Sequence, residues 1–320
     1  MLVNTENAKS AKIINQIKNR EIVCAFHDID GTHSLIRNWP PVMSRVLYDT
    51  AVNGIPENLT EEENINRLVS LCDTEALEET DRFCVESAGL SALTQMEWAI
   101  RRNMELTHGK FDSELNSQII KRIWQGEEKF EMENEPQEYL DYLNEKTPKL
   151  FWVYEQVLNR FCRDKNLVEA KQNPKKFLVP GSMEFMKYLH DNGVKNYFVT
   201  GAVVDKSVQP PMGMYEEVLG LGFPIGEGEM VEDILGSTWS EKIPKDEVMK
   251  RLVKTLGLNG ENVLVVGDGR SEISAGVALG AVTVSILPET AKRQRELHTE
   301  LGTNIIICDY TSDDIKEIIK

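Results

Sequence analysis

Asp28 and Asp30 stand one residue apart in the stretch Phe26-His27-Asp28-Ile29-Asp30-Gly31-Thr32-His33-Ser34. They follow an apolar run, Ile22 to Phe26, that reads as a short buried strand. Successive side chains of a strand point to opposite faces, so two such acids converge on one pocket only if the chain turns. Gly31 permits the turn, because glycine accepts positive φ and a close backbone approach. At the carboxyl edge of an open α/β sheet, where ligands usually bind, this pair suits a nucleophile and a proton donor acting on one phosphate. A plain acidic turn is the other reading of the same residues.

Two more stretches put polar residues at expected strand ends. Thr200-Gly201-Ala202 offers a hydroxyl and backbone amides, and if a helix begins there the free amides can hold an anion. Gly267-Asp268-Gly269-Arg270-Ser271-Glu272 sets two acids four residues apart after a strand. Between them, Lys242 and Lys245 lie near the start of a helix.

These positions need elements to hold them. Residues 7–19 are expected to form an amphipathic helix with Ala11, Ile14 and Ile17 on one side. From about residue 42 to 172 the apolar stripes recur at helical spacing. Thr60-Glu61-Glu62-Glu63 reads as a capping box, and further helices are expected at 92–105, 113–124, 136–145 and 149–163. After Asn173-Pro174 strands and helices alternate. A helix capped by Ser182 is expected to end at Gly193, and a strand at 197–199 to end in Thr200-Gly201. A helix at 205–219, a strand at 230–235 and a helix over 246–256 follow. Val263-Leu264-Val265-Val266-Gly267 is a buried strand, followed by a helix at 271–279 and strands at 281–286 and 304–308. This alternation implies a parallel sheet covered on both faces. The first strand must join that sheet, so the helical block is an insertion.

Bulk properties narrow the partners. The chain has 320 residues, 41% apolar and 28% charged, with a formal charge of −16, which fits a two-domain globular protein. That charge argues against nucleic acid and anionic membranes as partners. No apolar stretch approaches the ~18 residues of a spanning helix, and Met1 to Arg20 has no secretory apolar core. Five scattered cysteines without a Cys-x-x-Cys pair fit reduced thiols. Cytoplasmic residence, as a monomer or homodimer, is the expectation.

In order and spacing, Asp28-x-Asp30-Gly31-Thr32, Thr200, a lysine and Gly267-Asp268 with Glu272 resemble the haloacid dehalogenase superfamily of phosphohydrolases. The resemblance covers about residues 20–33 and 177–310. It implies a Rossmann-like α/β core over 1–33 and 176–320, and an inserted all-helical cap over 34–175 similar to that of phosphoglycolate phosphatase-like members. By this likeness Asp28 is the nucleophile, Asp30 the acid–base, and Thr200 and Lys245 complete the catalytic set. Thr32, Gly201, Ala202 and Arg37 would contact phosphate or substrate. Mg²⁺ would be bound by Asp28, the Asp30 carbonyl and Asp268, with Glu272 acting through a water or a neighbouring ligand. Arg37 and Trp39 on the first linker could instead pack the hinge, and Ser87-Ala88-Gly89-Leu90-Ser91 could present a loop to the site or merely connect helices. His33 stands where leucine is usual. The implied activity is hydrolysis of a small phosphomonoester, a phosphorylated metabolite; a phosphomutase or a non-catalytic metabolite-binding member are the alternatives.

Overall fold

The computed structural model describes residues 1–106, 113–127, 135–207, 212–238, 243–312 and 314–320. Lys242, one of the two candidate lysines, lies outside them. The chain forms two compact units, Met1–Ile36 with Leu167–Lys320, and Arg37–Asn166.

The first unit is built on strands β1 (Leu2–Val3), β2 (Lys12–Ile13), β3 (Arg20–Glu21), β4 (Cys24–His27), β5 (Lys195–Asp205), β6 (Met212–Gly213), β7 (Asp233–Ser237), β8 (Val263–Gly267), β9 (Val282–Ile286) and β10 (Ile305–Ile307). The main sheet runs β2-β10-β9-β8-β4-β5, with β6 and β7 both pairing β5. From β10 to β7 the pairings are parallel, while β2 and β6 join antiparallel. β1 and β3 form a separate antiparallel ribbon.

The second unit, with the start of the return connection, holds α1 (Trp39–Asn53), α2 (Glu62–Leu71), α3 (Glu78–Glu86), α4 (Ala92–Leu106), α5 (Ser113–Trp124), α6 (Gln137–Leu158), a π-helical turn (Asn159–Arg163) and α7 (Asp164–Gln172). The chain then continues through α8 (Ser182–Asp191), α9 (Met214–Gly220), α10 (Lys245–Thr255), α11 (Arg270–Ala278), α12 (Lys292–Leu301) and α13 (Asp314–Ile318).

Strand periodicity sends the side chains of β4 and β8 to the two sides of the sheet. Ala25, Leu264 and Val266 pack with Phe185 and Leu189 of α8 and Ile315 and Ile318 of α13. Cys24, Phe26, Val263 and Val265 face the other way, against Val248, Met249 and Leu252 of α10 and Ala275 of α11. The sheet is therefore apolar on both sides, which explains the unbroken hydrophobic run of β8. Among the described residues no helix is long and apolar enough to cross a membrane.

Several local expectations are corrected. Residues 7–19 form no α-helix. The Asp314 carboxylate takes the amides of Lys9, Ser10 and Ala11, and Lys12–Ile13 pairs with β10 as an edge strand. The two helices expected at 136–145 and 149–163 are one, α6, which runs through Pro148. Its buried residues lie on both sides of that proline, from Tyr139 and Leu143 to Leu150, Phe151 and Val157, and their packing outweighs the ~3 kcal/mol an interior proline costs. The capping box at Thr60 does not form. Glu61 precedes α2 without a side-chain bond, and its own N–H donates to Asn58 O. Ser182 is the first residue of α8 and Gly181 the cap. α12 and α13 had no counterpart in the sequence reading.

Candidate active site

Asp28 and Asp268 emerge at the carboxyl ends of adjacent parallel strands. β4 and β8 pair His27 with Val266, and the Asp28 N–H continues the ladder to Val266 O at 2.9 Å. After Asp28 the chain turns tightly, with His33 N–H and Ser34 N–H both donating to Ile29 O at 2.8 Å. Gly31 sits in that turn at φ +76°, and an added Cβ would lie 2.2 Å from Asp268 Oδ2. Glycine is needed there for conformation and for space together.

Lys245 opens α10 and is 2% exposed. Its Nζ lies 2.8 Å from Asp28 Oδ1 and 2.9 Å from Glu272 Oε2. Glu272, fully buried in the first turn of α11, also accepts the Gly269 N–H. It thus fixes the lysine and closes the start of its helix. Gly267 has no room for a side chain either, since a Cβ would meet Glu272 Cγ at 2.2 Å. Thr32 Oγ1 donates to Asp268 Oδ1 at 2.7 Å and accepts from Asp268 N–H at 3.0 Å. Expected at the phosphate, Thr32 is instead a clamp on Asp268.

Among the described residues, Asp28, Asp268 and Glu272 offer carboxylate oxygens all within 4.8 Å of one another. Asp30, next on the turn, forms a backbone β-bridge with Ser34, and its carboxylate is not one of the three. Burial pushes the Asp28 carboxyl up to about 6, with Lys245 opposing and Glu272 adding to the rise. Burial, then the charges of Asp28 and Glu272, hold Asp268 well above the carboxylate range. Burial would lower Lys245, but Asp28 and Glu272 more than reverse it and keep the ammonium charged. The buried Asp28 and Glu272 share one lysine and the half-buried Asp268 lies beside them, so the cluster carries excess negative charge. An all-oxygen donor set with that excess suits a hard divalent cation.

The second expected strand end is overturned. β5 does not stop at Thr200-Gly201 but runs to Asp205, pairing β7 with a register shift between Val199 and Val203. The β-branched Val199, Thr200, Val203 and Val204 favour extended chain, and the next helix, α9, starts only at Met214. No helix N-terminus therefore presents Gly201 and Ala202 to an anion. The Ala202 N–H is given to Thr200 Oγ1 at 3.1 Å, and Gly236 packs tightly against both residues. Arg37, expected to face substrate, is buried within the helical unit and paired with Glu155 at 3.2 Å. Trp39 begins α1. Ser87 and Ser91 lie in the connection from α3 to α4, where both are buried; Ser87 Oγ accepts from Gln95 and Ser91 Oγ bonds Thr94.

One buried network had no forecast. His27 Nε2 lies 3.2 Å from Asn196 Oδ1, and His27 Nδ1 lies 3.1 Å from His33 Nε2. His33 Nδ1 is 2.8 Å from Ser182 Oγ, and Tyr310 Oη is 3.3 Å from His33 Nε2. Both imidazoles are 0% exposed. The sequence signal was His27 at the end of an otherwise apolar strand, six residues before a second histidine.

A family model for haloacid dehalogenase-like hydrolases matches residues 28–280. No curated protein matches the sequence. The fold is similar to that of a predicted phosphatase from Clostridium acetobutylicum, 14% identical, with a TM-score of 0.50 over 93% of this chain and 97% of that one. It is similar also to a candidate phosphoglycolate phosphatase from Lactobacillus delbrueckii subsp. bulgaricus, 14% identical, with a TM-score of 0.52 over 94% of this chain and 100% of that one.

Proposed function

The chain belongs to the haloacid dehalogenase-like hydrolases, and from that premise we propose that it is a Mg²⁺-dependent phosphatase acting on a small phosphomonoester. The observation that carries this reading is the Asp28–Lys245 pair at 2.8 Å, set beside Asp268 at the ends of two central strands. Asp28 attacks phosphorus and takes up the phosphoryl group as an aspartyl-phosphate, a form of covalent catalysis open to carboxylates. Lys245 reduces the repulsion between that carboxylate and the incoming phosphate. Asp30 gives a proton to the leaving oxygen and then accepts one from the attacking water, a role that typically contributes 10²–10⁴-fold. Thr200, whose hydroxyl accepts from Ala202, has its own proton to give to a phosphate oxygen.

Asp28, Asp268 and the Asp30 carbonyl would hold the Mg²⁺, which supplies charge neutralisation at the phosphate oxygens. Thr32 holds Asp268 for that task, and Glu272 serves through Lys245. The inserted helical unit takes the part of a cap in this reading. All five cysteines are free, in keeping with a reducing, cytoplasmic setting. The test is a panel of sugar phosphates, phosphoglycolate and nucleotides assayed at low concentration against a Mg²⁺ titration. The reading expects metal-dependent release of phosphate from at least one of them, and release unaffected by excess chelator would overturn it.

A further inference from the structure

The buried chain of side chains beneath the catalytic turn has a single consistent proton order. Asn196 Nδ2 donates to Met230 O at 3.0 Å and Met186 O at 3.4 Å, so Asn196 Oδ1 is the atom facing His27. A carbonyl oxygen only accepts, which puts a proton on His27 Nε2. Among the described residues the partners of both imidazoles include no carboxylate, and a buried cation without one is costly, so each ring carries one proton. His27 Nδ1 is then an acceptor, and His33 Nε2 must donate to it. His33 Nδ1 is left to accept from the Ser182 hydroxyl. Tyr310 Oη, at 3.3 Å from His33 Nε2, takes a second share of the same proton while its ring stacks on His33 with centroids 5.2 Å apart.

We propose that His27 and His33 are positioning residues that hold the Asp28–Thr32 turn in its productive geometry, through this one-directional chain from Ser182 to Asn196. His27 directly precedes Asp28, and His33 directly follows Thr32, the clamp on Asp268. A bond between the two rings ties the ends of the turn across its mouth. Ser182 anchors the chain to α8, Asn196 to β5 and Tyr310 to the segment after β10. Because both rings are shut off from solvent, water cannot replace a lost partner: removing the His33 ring leaves His27 Nδ1 and Ser182 Oγ unmatched, and removing the His27 ring leaves Asn196 Oδ1 unmatched. The proposal rests on the phosphatase reading for its kinetic consequence, and on the hydrogen-bond geometry alone for its proton order.

The two parts are tested separately. Long-range ¹H–¹⁵N spectra of the full chain labelled at histidine, near pH 7.5, should give His27 and His33 a protonated Nε2 and a bare Nδ1. A proton on Nδ1 of either ring overturns the proposed order, and this outcome is readable even if the protein hydrolyses no phosphoester. Kinetically, His33→Leu should lower kcat by on the order of 10- to 100-fold, the penalty of an ångström-scale misplacement, with KM changed less than about 3-fold. In the double variant His27→Phe/His33→Leu the losses should not add, because the pair acts as one unit. If His33→Leu does not fold, Ser182→Ala deletes only the donor to His33 Nδ1 and should still lower kcat and move that nitrogen's signal. Wild-type kcat in a folded, less stable His33→Leu or Ser182→Ala protein would make the network structural only and overturn the proposal.

Discussion

Gly31 and Asp268 touch so closely that a single methyl group on the first would lie 2.2 Å from a carboxylate oxygen of the second. Gly31→Ala therefore has two costs: a left-handed conformation, worth about 1–2 kcal/mol, and displacement of Asp268. Turnover should fall at least ~10-fold and the Mg²⁺ needed for half-maximal activity should rise, with an unchanged circular dichroism spectrum. Gly193→Ala is the matched control. It shares a positive φ, +79°, but has nothing within 4 Å of an added Cβ, so it should lose stability without altering the metal requirement.

Lys245 is the cation within bonding distance of both Asp28 and Glu272. Lys245→Met should destabilise the metal-free protein by about 3–5 kcal/mol, the usual cost of breaking a buried pair from one side. Lys250 pairs with Asp246 at 2.6 Å, but the two side chains are 59% and 43% exposed, and Lys250→Met should change stability by no more than about 0.5 kcal/mol. Urea unfolding of the two variants checks the contrast. Equal effects would mean that the buried carboxylates do not depend on their lysine.

His298 of α12 gives a pH dependence outside the site. It is 1% exposed, bonded to Ser285 Oγ at 2.8 Å, and burial pushes it down to about 4. With the folded value depressed below the ordinary 6.5, the unfolded chain binds more protons between those two values. Stability is thus complete above pH 6.5 and is lost as pH falls towards 4. Between pH 7 and pH 5 the wild type should lose about 2 kcal/mol more than His298→Gln, measured by urea unfolding at both values. A parallel loss in the two proteins would show that this imidazole is not held neutral.

What the sequence disclosed, and what it hid, follow from the range of the forces involved. The run Val263 to Gly267 declares itself because both of its faces are buried, so no polar residue interrupts it. Asp28, Gly31 and Asp268 were legible because a turn and two strand ends leave local marks. The false helix at 7–19 was undone by Asp314, from the far end of the chain, which no local pattern reports. Thr200-Gly201 was read as a strand end, yet β-branched neighbours and the pairing with β7 carry β5 past it. Thr32 and Glu272 were placed in the right neighbourhood, but which of them touches Asp268 and which Lys245 depends on three-dimensional packing. The same holds for His33, whose partners Ser182 and Tyr310 come from segments far along the chain.

The central claim, that Asp28 is the group that attacks phosphorus, is tested most directly by hydrolysis of p-nitrophenyl phosphate with Mg²⁺ by the wild type and Asp28→Asn. An amide oxygen is no usable nucleophile, so the wild type should release nitrophenol and the variant should stay at the uncatalysed background. Wild-type turnover by Asp28→Asn, with the variant confirmed by mass, would contradict the account.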